Sequence, residues 1–287
     1  MFDLQNHPEW SHIDQIKTRF LKSGLKIYLV GGCVRDLLLQ RKPKDFDFAT
    51  DAKPEEMQKL FDKTNDVGKA FGTIQVVLDK SMFEITTFRK DLDYVDGRRP
   101  EGVTFSDEVE DSKRRDFTMN ALFYDLEKNE IIDYVNGQED IKKKTIRFIG
   151  DARERIEEDK LRLLRALRFV SALGFDLEPA TAAAVKAYAA KLNQVSQERV
   201  FEEMTKLIAG DFFYKAIPYL RDTDILSLVF ENKLDQTKLK DFLDISRKDF
   251  YHLQTAFELG NTNLFSILFY GILLKSDQFD WRKWRWS

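Results

Sequence analysis

Apolar and polar positions divide this chain into two regimes. Over residues 26–134 they bunch into short runs or alternate with period two, the mark of strands. Lys26–Val30, Asp45–Phe48, Thr73–Leu78 and Met82–Phe88 are the predicted strands, and the polar Asp79-Lys80-Ser81 joins the last two as a hairpin. Helices are expected at about 34–40 and 54–63, the second opening on Pro54 with Glu55 and Glu56 in its first turn. From about Glu154 apolar residues recur every three or four positions, predicting helices over 155–172, 178–192, 197–208, 213–220 and beyond. Gly174, Gly210 and Gly260 read as helix ends. The expected fold class is α+β, a small N-terminal mixed α/β domain followed by an all-helical half. No internal repeat of 20–50 residues is evident.

Composition narrows this. The 287 residues suffice for two domains, and 43% apolar with 33% charged is ordinary for a soluble protein. No apolar run approaches the roughly 20 residues that cross a bilayer. The opening MFDLQNHPEW lacks the basic and apolar stretches of a signal peptide. One cysteine, Cys33, fits a reducing compartment, and with three His a structural zinc site is not expected. A soluble, cytoplasmic protein with no membrane association is the expectation. A formal net charge of −3 argues against indiscriminate coating of nucleic acid, while leaving room for a local basic cleft.

Candidate chemistry begins at Asp45-Phe46-Asp47-Phe48. On a strand both carboxylates face one way and both rings the other, so the rings can anchor the strand while the acids enter a cleft. Two like charges about 7 Å apart are unfavourable without a cation between them. Mg²⁺, which takes one or two carboxylates plus substrate phosphates, suits the pair. An isolated Asp-x-Asp is weak evidence, but Gly31-Gly32-Cys33-Val34-Arg35 precedes it at a predicted strand-to-helix junction. Glycines there admit close approach of a phosphate, and Arg35 can add a charge-assisted fork. An anion cradle beside a metal-binding pair is the arrangement phosphoryl transfer uses. Glu84, on the same strand face as Met82 and Thr86, reads equally as a third catalytic carboxylate or a solvated strand acid. Cys33 reads as a small filler.

Gly31-Gly32-x-Val34-Arg35-Asp36 followed by Asp45-x-Asp47 resembles the tRNA nucleotidyltransferase and poly(A) polymerase family of bacterial and eukaryotic type, within the DNA polymerase beta superfamily. Further motifs follow in order. Arg114-Arg115-Asp116-Phe117-Thr118-Met119-Asn120-Ala121 is similar to the family's ribose- and triphosphate-contacting motif, and Asp133, Gly137 and Asp140 to its connecting motif. Glu158-Asp159-x-x-Arg162-x-x-Arg165-Ala166-x-Arg168-Phe169 resembles the nucleotide-selecting motif, and Ser196-x-Glu198-Arg199 the last one. The resemblance covers about residues 26–225. It implies a polymerase-beta-like catalytic head over 1–150, a helical neck over 151–215 and a helical body over 216–287. It also implies Mg²⁺ as cofactor, and addition of C and A from CTP and ATP to tRNA lacking all or part of its 3′ CCA. Asp45 and Asp47 are then the metal ligands. Gly31, Gly32, Arg35, Arg115, Asp116, Asn120, Asp159, Arg162, Arg165 and Arg168 become the nucleotide-binding set.

The selecting motif has its own logic. Asp159 and Arg162, spaced i, i+3, are expected as neighbours on one helix face. Ionised Asp only accepts hydrogen bonds and Arg only donates, which complements the amino donor and ring nitrogen acceptor of cytosine or adenine. Uracil and guanine would leave groups unsatisfied, at about 1–3 kcal/mol each. Arg165 and Arg168 continue along the helix, drifting about 60° per step. Arg89 to Ser112 is similar to the family's flexible loop, whose full length favours addition of the final A. Relatives usually run longer, so a curtailed or absent tail and weaker tRNA binding are expected. The last seven residues, Trp281 to Ser287, interleave Trp with Arg and Lys; a packed or frayed terminus is the expected reading, an RNA-touching tail the alternative. The rivals are an A-adding, CC-adding or poly(A)-adding enzyme, a nucleotidyltransferase with another substrate, and an inactive RNA-binding module.

Overall fold

A computed structural model describes residues 3–92 and 102–229. The middle of the stretch from Arg89 to Ser112, Gly260, the last seven residues and most of 216–287 lie outside the described residues. The chain divides into two compact units, Met1–Asp159 and Lys160–Ser287.

The first unit is built on a seven-stranded sheet. Its elements are α1 (Trp10–Lys22), β1 (Ile27–Val30), α2 (Gly32–Leu38), β2 (Asp47–Thr50), α3 (Pro54–Leu60), β3 (Thr64–Asn65), β4 (Thr73–Leu78), β5 (Ser81–Thr87), β6 (Arg89–Asp91), β7 (Val103–Phe105), α4 (Glu108–Lys113), β8 (Phe123–Asp125), β9 (Glu130–Ile132), α5 (Gly137–Lys142), β10 (Thr145–Ile146) and α6 (Ala152–Glu158). Strand order is β3-β4-β5-β2-β1-β8-β9, with β2 and β5 parallel and the other pairs antiparallel. All four residues of β1 are buried, as an unbroken apolar run in a covered central strand should be. Strand β4 instead alternates, with Ile74, Val76 and Leu78 inward. Helix α1 contributes Ile13, Ile16 and Phe20 to the core, one stripe at helical spacing. In α3, Pro54 occupies the first turn and Glu56 reaches back to the Lys53 N–H at 2.8 Å. The β4–β5 hairpin turns at Asp79, in the left-handed region at φ 51°.

The second unit, as far as residue 229, is helical apart from β11 (Asp176–Leu177). Its helices are α7 (Arg162–Leu173), α8 (Pro179–Tyr188), α9 (Gln197–Ile208), α10 (Phe213–Thr223) and α11 (Ile225–Val229). Gly174 ends α7 at φ 70°, as expected. Gly210, just past α9, sits where a Cβ would overlap Ser171, and the Ser171 hydroxyl donates to the Leu207 carbonyl at 2.5 Å. A mixed α/β head followed by helices is the predicted class. No helix among the described residues is long and apolar enough to cross a membrane.

One local expectation fails. The helix expected over 155–172 is two helices, α6 and α7, interrupted at Asp159 to Leu161. The stretch from Arg89 to Ser112, similar to a flexible loop in sequence, carries short elements in its described parts. Its ends pair as the short antiparallel strands β6 and β7, and α4 follows, capped by the Asp107 carboxylate on the Glu110 N–H.

Candidate active site

Phe46 and Phe48 are both buried, and Asp45 and Asp47 are both exposed. The aromatic residues pin the segment: Phe48 meets Phe83 ring to ring at 6.1 Å. Asp47 opens β2, while Asp45 precedes the strand. Glu84 stands directly opposite Asp47 in the parallel β2–β5 register and is exposed on the same face. The Asp47 side chain stays accessible to solvent although protein is dense around it. Its pKa is pushed up from 3.8 to about 6, first by burial and next by the Glu84 charge, with Asp45 adding and Arg115 opposing.

Val30 lies opposite Asp47 on the other side, and the chain leaves β1 directly into the glycine turn. Gly31 has φ 79°, where a side chain is strained, and caps α2. A Cβ on Gly31 would lie 3.6 Å from Arg115 Nη1, and one on Gly32 would lie 3.6 Å from Arg35 Nη2. Two guanidiniums therefore flank the turn. Arg35 is oriented by Asp36, at 3.0 and 2.8 Å, and by Asn120 Oδ1, which accepts from Nη1 at 2.7 Å. Arg115 lies over the Phe123 ring at 5.5 Å. Asp116 accepts the following Phe117 N–H at 2.8 Å. Thus Gly31, Gly32, Arg35, Arg115 and Asn120 come together across 90 residues of chain, beside Asp47.

Asn120 sits in a short 3-10 turn, Thr118–Asn120, held from beneath by the connecting motif. Thr118 donates its hydroxyl to Asp140 at 2.7 Å, and Arg147 Nε closes on the same carboxylate at 3.1 Å. Asp133 accepts the Val135, Gly137 and Gln138 N–H groups. Any Cβ at Gly137 would overlap the Thr118 carbonyl. Asp133, Gly137 and Asp140 are therefore the mount for the turn that carries Asn120.

Sequence reasoning passed over Asp111. This buried acid accepts from Arg115 at 2.8 and 3.2 Å, from Arg114 at 2.7 and 2.8 Å, and from the Arg89 N–H at 3.3 Å. Burial works to raise its pKa, but the charges and hydrogen bonds of Arg115 and Arg114 outweigh that and hold it below the usual range. Its spacing, three and four residues ahead of the two arginines, was the available signal. Cys33 donates to the Val30 carbonyl at 3.2 Å, and burial pushes its thiol up to about 12, which suits a filler.

The selecting motif departs from expectation. Asp159 ends α6 in an extended conformation, φ −147° and ψ 107°, whereas Arg162 is the first residue of α7. They do not share a helix face, so i, i+3 geometry does not set their relation. Arg165 and Arg168 do lie on α7. There Arg168 Nε donates to the buried Glu203 of α9 at 2.7 Å, and Arg165 approaches the same carboxylate at 3.9 Å.

Hard carboxylate oxygens of Asp45 and Asp47, crowded by Glu84, make a donor set that fits Mg²⁺. The pKa of Asp47 is raised first by burial and then by the Glu84 charge, and a bound cation would favour the ionised form against both. Among the described residues no three His, Cys, Asp or Glu side chains form a closed metal cage. An ion that takes part of its shell from substrate phosphates does not need one.

A mixed sheet bearing acids on adjacent strands beneath a glycine turn and two guanidiniums defines the head of a polymerase-beta-like nucleotidyltransferase. Comparison with known proteins makes this specific. Residues 27–147 match the poly A polymerase head domain, and 174–235 match the probable RNA and SrmB-binding site of polymerase A. The CCA-adding enzyme of Geobacillus kaustophilus is 50% identical over 207 residues, covering 72% of this chain and 51% of that protein. That of Streptococcus sanguinis is 42% identical over 225 residues, covering 78% and 56%. Among solved structures, the Bacillus stearothermophilus CCA-adding enzyme in complex with CTP superposes with a TM-score of 0.69 at 44% identity, covering 76% of this chain and 53% of that one. A tRNA nucleotidyltransferase complexed with a primer tRNA and an incoming ATP analog gives 0.64 at 28% identity, covering 78% and 65%. The chain belongs to the poly(A) polymerase and CCA-adding enzyme family. It spans about half the length of the curated relatives it matches.

Proposed function

We propose that this chain adds C and A nucleotides from CTP and ATP to the 3′ end of tRNA lacking all or part of its CCA, without a nucleic-acid template. The observation that carries the reading is the juxtaposition of Asp47 and Glu84 on one sheet face, with Asp45 just ahead of the strand, beside the Gly31–Gly32 turn and Arg115. The identity to CCA-adding enzymes supports the substrate choice.

In this reading the incoming triphosphate lies along the glycine turn. Gly31 and Gly32 let it approach the backbone, and Arg35 and Arg115 neutralise its charge with Asn120 and Asp116 as neighbours. Asp45 and Asp47 would hold Mg²⁺, with Glu84 sharpening the negative field around them. When bound, the ion activates the tRNA 3′-hydroxyl and stabilises charge on the α-phosphate and the departing pyrophosphate. Asp159, an acceptor, and Arg162, a donor, would read the amino group and ring nitrogen shared in pattern by C and A. Arg165 and Arg168, paired with Glu203 within the second unit, would complete the nucleotide-binding set. The head over 1–150, neck over 151–215 and body over 216–287 would divide catalysis, selection and tRNA grip. The single cysteine and the lack of a membrane-spanning helix among the described residues support a cytoplasmic location.

The test is incorporation into tRNA ending before CCA, with CTP alone, ATP alone and both. Three added nucleotides with both, two with CTP alone, and loss of all addition in Asp45→Ala are expected. Addition limited to A or to CC, or a long A tail, would reassign the enzyme within its family. Unchanged incorporation in Asp45→Ala would overturn the site.

A further inference from the structure

We infer that His7, ahead of the matched head segment, is a positioning residue that clamps the chain carrying Asp45 and Asp47. This rests on the assignment of those acids as the metal ligands. After Arg41, whose N–H donates to the Asp36 carbonyl, residues Lys42 to Asp45 make no backbone–backbone hydrogen bond among the described residues. The segment that delivers the acids thus lacks its own ladder. His7 supplies a substitute.

The buried imidazole touches it twice. Nε2 is 3.2 Å from the Pro43 carbonyl oxygen, and the ring meets Phe46 edge-on at 4.8 Å and 82°. Phe46 lies between the acids, so a ring that fixes it fixes the direction in which both carboxylates point. The ring itself is held: the Glu9 N–H donates to Nδ1 at 3.1 Å. An amide nitrogen only donates and a carbonyl only accepts, so Nδ1 carries no proton and Nε2 carries the one given to Pro43. His7 is mounted rigidly, its N–H on the Leu4 carbonyl at 3.0 Å and its carbonyl on the Trp10 N–H at 2.9 Å, between a short 3-10 turn and α1. The helix thereby sets the catalytic loop through one side chain.

The geometry distinguishes two near-isosteric replacements. Gln places a donor where Nε2 stands and can reach Pro43; Asn places an acceptor where Nδ1 stands and cannot. In the intact chain, His7→Asn should lower kcat for CTP incorporation by about tenfold or more, the scale of a small misplacement of catalytic groups. Half-saturation should shift to higher Mg²⁺ concentration, while KM for CTP stays unchanged because the glycine turn and its arginines are untouched. His7→Gln should recover most of the rate. ¹⁵N-histidine NMR of the wild-type chain should show Nε2 of His7 as the donor nitrogen and Nδ1 as the acceptor, which needs no variant to fold. The inference is overturned by equal rates in both variants, by a loss carried wholly in KM for CTP, or by a ring protonated on Nδ1. An inactive wild-type chain would instead refute the underlying site assignment.

Discussion

Asp47→Asn should make this protein more stable while abolishing catalysis, and the sign depends on pH. The folded-state pKa of Asp47, about 6, lies above its ordinary 3.8, with burial the first cause and the Glu84 charge the second. The folded state therefore keeps a proton that the unfolded chain has released. The stability this represents is fully present below pH 3.8 and is lost as pH rises through about 6. The gap corresponds to about 3 kcal/mol of preference for the neutral form. Solvent reaches this side chain, and screening brings the sum to on the order of 1 kcal/mol. For a unit of this size that is a rise in Tm of about 2–4 °C in the variant. The assay is thermal unfolding in EDTA at pH 8 and at pH 5. The variant should melt higher at pH 8, and the advantage should shrink at pH 5, where the wild-type carboxyl is mostly protonated. Added Mg²⁺ should stabilise wild type and leave the variant nearly unmoved. A variant that melts lower at pH 8, or equally higher at both pH values, would refute the claim that Asp47 is held ionised against its neighbours.

Other consequences follow from single contacts. Asp111→Asn removes the counter-charge of Arg114 and Arg115 from a buried site, so chemical denaturation should show a loss of about 3–5 kcal/mol, and KM for CTP should rise as Arg115 loses its orientation. A loss below about 1 kcal/mol, the scale of an exposed pair, with unchanged KM would contradict this. Gly137→Ala drives a methyl into the Thr118 carbonyl; urea unfolding should report a cost of about 1–3 kcal/mol, with reduced incorporation because the Asn120 turn shifts. Cys33, with its thiol near 12 and buried, should resist a thiol reagent at pH 8 until denaturant is added, and rapid native labelling would show the β1–α2 junction to be open.

The features legible in the sequence were those encoded over a few residues. The alternation Asp45-Phe46-Asp47-Phe48 leaves one arrangement compatible with burying two rings, and that arrangement presents both acids together. Strand β4 and the turn at Asp79 were likewise written in period two and a polar break. The break at Asp159 was not legible, because Glu157 to Phe169 contains neither Gly nor Pro and the charged run Glu157 to Lys160 reads equally as the solvated turn of one helix. Strands β6 and β7 have three residues each, too few for alternation to register. The mounts of the site were hidden for a different reason: Asp111 under Arg115, Asn120 on Arg35 and His7 on Pro43 are pairings whose meaning depends on tertiary structure.

That division has a physical origin. Asp47 is a local conflict, a carboxylate crowded by protein and by the Glu84 charge at a cost to the folded state, and such conflicts stand out against a sequence that otherwise agrees with its fold. The residues that hold them in place are satisfied on every side: Asp111 by two guanidiniums and an amide, Asp133 by three N–H groups, His7 by a donor and an acceptor. A satisfied group leaves no anomaly in composition, and the spacing of Asp111 from its arginines is one that ordinary surface ion pairs share. Function in this head is therefore visible where energy is spent and invisible where it is recovered. The contacts that border the acids, Val30 opposite Asp47 and the His7 ring against Phe46, belong to the satisfied class.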